Sequence, residues 1–296
     1  MIIKAGFIPA LGTPVDENGV FLPESYEKQI NDMLDAGAVA VLVLGSMGMM
    51  YAIRQDQYRR IVETAIRVVN GRCPVLVGAM DNSLWRVKER LGYLENLDID
   101  GVVLTTPYYY ASTPDEIVRF YTGVAEISSY DVYMYDLQVV TQSKITYPII
   151  EKVLDKTDKL KGIKTGDQAL ARTLIRSTKI PPDFHVVYSG LDTVDVAYQW
   201  GITTYLDGMF TCTPHLSGEL DKNLTIGDYI KAGEYLDRIL NLRNDMAKIG
   251  IFNSYKHAMN ILGYEGFHAP DYCFKNNDDD YQYTRSIMIK HGEIDG

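Results

Sequence analysis

Eight short runs of apolar and β-branched residues punctuate the chain. They cover 6–12 (GFIPALG), 39–45 (VAVLVLG), 74–80 (PVLVGAM), 101–106 (GVVLTT), 132–137 (VYMYDL), 160–165 (LKGIKT), 185–189 (HVVYS) and 203–209 (TTYLDGM). Several are apolar at almost every position, as strands covered on both faces are. The segments between them carry apolar residues three and four apart, the spacing of one helix face. Pro23-Glu24 opens such a helix, with Ile30, Met33 and Leu34 on one side and Gly37 as its stop. QDQYRRIVETAIRVVNG repeats the pattern up to Gly71, and Thr113-Pro114-Asp115-Glu116 forms a helix cap. Asp16-Glu17-Asn18-Gly19 predicts a tight turn after the first strand.

Each gap between strands leaves room for one helix and two loops, the βα rhythm of a parallel sheet. The last gap is short and fits a three-turn helix. Beyond the eighth run, 225–248 predicts a long amphipathic helix and 253–262 a shorter one, with no strand after either. The end, 271–296, contains Asn276-Asn277-Asp278-Asp279-Asp280 and predicts a solvated, mobile tail. Eight strands in this order predict a (β/α)8 TIM barrel over 1-222, with a C-terminal helical extension and tail over 223-296. A doubly wound sheet is the alternative. It would place a glycine-rich nucleotide turn after strand one, where this chain has GTPVDENG without the GxGxxG spacing.

At 296 residues the chain is long enough to bury about three quarters of its unfolded surface, so a full core needs neither metal nor disulfide. Its formal net charge of −10 argues against a nucleic-acid partner, which wants a basic face. No stretch reaches 18 uninterrupted apolar residues, so no membrane span is expected. Cys73, Cys212 and Cys273 are odd in number and far apart. That pattern predicts reduced thiols and, with no leader-like start, a cytoplasmic protein. The five histidines make no HxH or HExxH spacing, so no metal site is expected.

In a barrel the chemistry sits at the C-terminal ends of the strands. Side chains alternate along a strand, so Lys164 shares a face with Gly162 and Gly166 and points into the barrel if Ile163 points out. A lysine buried there can serve as a nucleophilic amine; otherwise its ammonium snorkels to the mouth. Tyr135, at the end of strand five, could relay protons or simply fill the core. Gly45-Ser46-Met47-Gly48 ends strand two and could bring backbone N–H groups to an anion. Tyr108, Tyr109 and Tyr110 could form a substrate wall, a subunit contact or ordinary packing. Asp192, after strand seven, could hold a substrate hydroxyl, although capping the next helix is the simpler role.

In order and spacing, GFIPALGTPV, GSMG, TTPYYY, YMYDL, GIKTGD and YSGLD resemble the dihydrodipicolinate synthase/N-acetylneuraminate lyase family of class I aldolases, from about Gly6 to Pro270. The resemblance implies a barrel with added C-terminal helices, assembled as a homotetramer of two tight dimers. It implies that Lys164 forms a Schiff base with pyruvate or another 2-oxo acid, without metal or organic cofactor. Tyr135 would move protons, and Ser46 would link it to Tyr109 of a neighbouring subunit. Backbone groups at Ser46 and Met47 would receive the carboxylate, with Leu206 near the pyruvate.

Departures from the family pattern bear on the second substrate. Met47 replaces a hydroxyl residue and Met49 a glutamate. Val140 stands where dihydrodipicolinate synthases place an arginine, and Lys144 would substitute for it imperfectly. Thr193 stands where the sialic-acid branch has an acid, and Gly208 where it has a serine. Asp192 matches that branch, and Asp207 is an extra carboxylate. The expected activity is a carbon–carbon lyase joining or separating a 2-oxo acid and an aldehyde, with a sugar-acid-derived aldehyde as one candidate. Dihydrodipicolinate synthase itself, a deoxy-sugar-acid dehydratase and an inactive 2-oxo-acid-binding barrel are the alternatives.

Overall fold

The computed structural model describes residues 3–273 and 277–296. Its eight strands are β1 (Gly6–Pro9), β2 (Val41–Val43), β3 (Val75–Gly78), β4 (Gly101–Thr105), β5 (Val132–Asp136), β6 (Leu160–Thr165), β7 (His185–Tyr188) and β8 (Thr204–Asp207). All pair in parallel, in the order β1-β8-β7-β6-β5-β4-β3-β2. A bridge between Ala10 and Leu42 brings the two ends of the sheet together, with the Leu11 N–H donating to the Leu42 carbonyl at 3.0 Å. The result is a (β/α)8 barrel. Each predicted run contains its strand, several of them shorter than the apolar stretch, because the run continues into loops buried at the barrel mouth.

Helices cover the outside as the periodicity predicts. Pro23–Asp35 buries Tyr26, Ile30 and Met33. Tyr58–Val69 buries a stripe from Ile61 to Val69 and ends on Asn70 in the left-handed conformation. The Thr113 cap is reciprocal: its Oγ1 accepts from the Glu116 N–H, while the Glu116 carboxylate accepts from the Thr113 N–H. The short last gap holds less helix than predicted. A 3₁₀ turn at Leu191–Thr193 runs into a six-residue helix, Val194–Gln199.

After β8, helices Met209–Cys212 and Pro214–Ile226 complete the last unit, followed by Tyr229–Ala247 and Ile251–Ile261. The predicted mobile tail is corrected by the structure. Asp278–His291 is a helix capped by Asn277, and it buries Thr284, Ile287 and Met288. Asp245, on Tyr229–Ala247, pairs with Lys290 at 2.9 Å and with His291 at 2.8 Å. The Glu293 carboxylate accepts from the backbone N–H groups of His215 and Leu216, capping the Pro214–Ile226 helix from a distant part of the chain. The acidic run that reads as a solvated end is the favourable first turn of this helix. Asn276 lies outside the described residues.

The register of β5, β6 and β7 stacks two layers. Tyr133, Gly162 and His185 are in line, and two residues further towards the C-terminal ends Tyr135, Lys164 and Val187 are in line. A Cβ at Gly162 would lie 2.7 Å from the Tyr133 ring, so the glycine admits an aromatic floor beneath Lys164. No helix of the described residues is long and apolar enough to cross a membrane.

Candidate active site

Lys164 is 9% exposed, and its Nζ lies 3.6 Å from the centroid of the Tyr135 ring. The pairing of Tyr135 with Lys164 across β5 and β6 sets this contact. Two adjoining cavities meet at Lys164, Tyr135 and Asp207. One, of about 250 Å³, is walled by Ala10, Leu42, Ser46, Met47, Leu206, Gly208, Met209, Arg243, Ile251 and Tyr255. The other, of about 460 Å³, opens beside Asp136, Gln138, Lys144, Gly166, Asp167 and Ser189.

Five predicted residues therefore come together around Lys164: Tyr135, Ser46, Met47, Leu206 and Asp207. The loop carrying Ser46 and Met47 is tightly held. The Thr13 hydroxyl donates to the Gly48 carbonyl at 2.7 Å, and Leu44 and Met49 both adopt positive φ. Two non-glycine residues in that region mark a turn whose shape its surroundings impose. The Met47 side chain lies over Gly208, where an added Cβ would sit 2.2 Å from its Cγ. Met47 thus fills the space that a side chain at 208 would need.

Tyr109 is elsewhere. It is 73% exposed, packs edge-on against Tyr110 and lines neither cavity. Asp192 also lies off both cavity walls, and it does not cap the helix that follows. Instead it holds Arg243 through two bonds of 2.8 Å, and this contact keeps its carboxyl below the usual range. Arg243 comes from the Tyr229–Ala247 helix and lines the Lys164 cavity. Sequence reasoning missed it, because an arginine on an amphipathic helix carries no sign of where its guanidinium ends.

Lys144 bridges Asp136 and Asp167, the latter at 3.0 Å. Burial lowers its pKa, but the bonds to the two carboxylates outweigh that and raise it. Asp136 also accepts from the Thr165 hydroxyl at 2.9 Å and from the Ile145 N–H at 3.1 Å. Lys144 is thus committed within the protein. Asp207 differs: desolvation at the cavity wall pushes its carboxyl up, against the opposing pull of the Met209 N–H, Lys164 and Arg243.

This arrangement is a lysine amine set among a phenol, a hydroxyl and a carboxylate at the mouth of a (β/α)8 barrel, the layout of a class I aldolase. The model of the Dihydrodipicolinate synthetase family matches residues 4–285. The chain belongs to that family and is a carbon–carbon lyase. It is 30% identical over 186 residues to the 4-hydroxy-tetrahydrodipicolinate synthase of Thermotoga neapolitana, spanning 62% of this chain and 63% of the relative. It is 24% identical over 259 residues to the enzyme of that name from Jannaschia sp., covering 87% and 88%.

Two solved structures share the fold throughout. YagE, a prophage protein of the dihydrodipicolinic acid synthase family from E. coli solved with pyruvate, has a TM-score of 0.88 at 21% identity, covering 99% and 100% of the two chains. CdNal from Clostridium difficile, solved with mannosamine, has a TM-score of 0.88 at 17% identity, covering 98% and 100%.

Proposed function

We propose that this protein is a Schiff-base aldolase that joins a 2-oxo acid such as pyruvate to an aldehyde, or separates the two. The observation that carries this reading is the Lys164 amine, buried at the meeting of two cavities and 3.6 Å from the Tyr135 ring centroid. Attack of that amine on the keto carbon gives a carbinolamine, and loss of water gives an imine. The protonated imine then withdraws electrons, so C3 of the acid can act as a carbon nucleophile. Tyr135 and Ser46, on the same wall, serve proton transfer during imine formation and during the making or breaking of the C–C bond. The loop at Ser46 and Met47 receives the acid's carboxylate.

Tyr109 acts in this scheme from a second copy of the chain. Its exposure and its absence from both cavities within one copy favour that arrangement. A homotetramer of two tight dimers is the assembly the reading carries.

The names of the curated relatives favour a second reading, pyruvate with aspartate semialdehyde. Val140 offers no guanidinium for the semialdehyde's carboxylate, and Lys144 is engaged by Asp136 and Asp167. A neutral or sugar-derived aldehyde suits this wall better.

The test is borohydride reduction in the presence of pyruvate, followed by intact mass measurement and peptide mapping. A reduced pyruvate adduct on Lys164, lost in Lys164→Ala, is the expected result. No adduct with pyruvate or with larger 2-oxo acids would overturn the reading. Parallel assays with aspartate semialdehyde and with sugar aldehydes separate the two substrate assignments.

A further inference from the structure

A carbon chain that grows from Lys164 has to pass Asp207. Nζ holds C2 of the 2-oxo acid and the new bond forms at C3, so the aldehyde's carbons lie beyond C3. Lys164, Tyr135 and Asp207 border both the cavity at Ser46 and Met47 and the larger one that opens beside Gln138 and Ser189. With the acid's carboxylate at the Ser46 and Met47 loop, the aldehyde half runs from the first cavity towards the second. Asp207 stands where the two meet.

The acidic groups around this passage are not alike. Lys144 binds Asp136 and Asp167, and Arg243 binds Asp192 through two bonds of 2.8 Å. Asp207, the last residue of β8, has one hydrogen-bond donor among the described residues, the Met209 N–H at 2.8 Å from Oδ1. A carboxylate offers about four acceptor positions, so most of the capacity of Asp207 is left for a ligand. Burial at the wall pushes its carboxyl up, as expected of an anion short of donors.

What Asp207 can bind follows from its chemistry. An ionised carboxylate only accepts hydrogen bonds. The aldehyde's carbonyl oxygen is an acceptor too, and a carboxylate on the aldehyde would meet like charge. A hydroxyl on the carbon next to the carbonyl supplies the missing hydrogen. The bond so formed is charge-assisted, roughly twice as strong as one between neutral groups. An aldehyde without that hydroxyl leaves the anion desolvated and unpaired, which is how a polar site discriminates against an analogue lacking its partner.

We propose that Asp207 sets the choice of aldehyde by accepting a hydrogen bond from a hydroxyl on the carbon adjacent to the carbonyl, so that the partner of the 2-oxo acid is a 2-hydroxyaldehyde. This assignment rests on the Schiff-base reading above and leaves proton transfer to Tyr135 and Ser46. Asp207 is a specificity residue in this scheme: it contacts the aldehyde half and not the reacting bond.

The test compares propanal with 2-hydroxypropanal, which differ in that hydroxyl alone, each with pyruvate. Proton NMR gives the free aldehyde concentration and the rate of product formation, and hence kcat/KM for each. Wild type should favour 2-hydroxypropanal by about 10- to 100-fold, the size of a hydrogen bond to a charged group. Asp207→Asn keeps a carbonyl oxygen for the Met209 N–H and removes the charge, so the preference should fall about tenfold. Asp207→Ala removes the acceptor and should abolish it. The preference is a ratio within one protein, so a general loss of activity cancels from it. The hydroxyl's electronic effect on the carbonyl is common to all three proteins and cancels between them.

A wild type that forms a borohydride-trapped adduct with pyruvate, yet uses 2-hydroxypropanal no faster than propanal, would overturn the assignment. So would a preference that Asp207→Asn keeps in full, or loss of pyruvate trapping in that variant, which would place Asp207 at imine formation instead. If the wild type itself fails to trap any 2-oxo acid, it is the Schiff-base reading that fails.

Discussion

At the scale of single residues the site is built from exchanges of space and charge. Gly208 and Met47 form one unit, because the thioether chain occupies the volume that a Cβ at 208 would claim. Gly208 has φ −74° and ψ −28°, ordinary for any residue, so its constraint is contact and not backbone conformation. Gly208→Ala should therefore push Met47 aside, costing about 1–3 kcal/mol and slowing imine trapping. Met47→Ala in the same chain should recover most of both. Urea unfolding and borohydride trapping of the two single variants and the double variant measure the coupling, and additive effects would show that the two positions do not interlock. Tyr135, Ser46 and Met47 were legible as site candidates because the end of a barrel strand faces the mouth, and Leu206 and Asp207 through the resemblance to the family. The partners of Asp192 and Lys144 were not, since hydrogen bonding among loops depends on contacts distant in sequence.

At the scale of elements, the helical extension forms part of the site. The Tyr229–Ala247 helix brings Arg243 to the cavity wall, and the Ile251–Ile261 helix brings Tyr255. Arg243 favours the ionised form of Asp207 across that wall. Arg243→Met removes this attraction, so the Asp207 carboxyl should take up its proton at higher pH. The change in overall stability should be small, about 1 kcal/mol or less, because the Arg243–Asp192 pair lies largely at the surface. Carbon-13 NMR titration of labelled aspartate, with Asp207→Asn to assign the signal, tests the first expectation and thermal unfolding the second. The Asp278–His291 helix could not be foreseen from periodicity, because its outward face is so polar that three buried positions do not stand out. Its stability comes from the cap at Asn277, the last-turn pairing with Asp245 and burial against neighbouring helices.

At the scale of the whole molecule, His268 links stability to pH. It is fully buried, and desolvation lowers its pKa from 6.5 to about 4 even though Nε2 bonds to the Tyr264 carbonyl at 2.9 Å. Between about pH 6.5 and pH 4 the unfolded chain holds the extra proton and the folded chain does not. Stability should therefore fall on acidification through that window and be insensitive to this group above it. The contribution lost between pH 7 and pH 5 is about 2 kcal/mol. Urea unfolding of wild type and His268→Gln at the two pH values checks it; equal pH dependence in both would remove His268 as the cause.

The amino-acid sequence by itself determined the barrel and most of its mouth. Alternation places Lys164 and Tyr135 on definite faces, apolar runs mark strands buried on both sides, and these are local properties of a polypeptide. Tertiary structure decided what each reactive group has beside it. It alone set the buried Lys164 above an aromatic floor, bound Lys144 between two aspartates, tied Asp192 to an arginine about 50 residues away, and placed Asp207 on the wall of both cavities. Those relations arise where separate strands and helices converge. Spacing along the chain constrains them weakly, because charge and volume act through space.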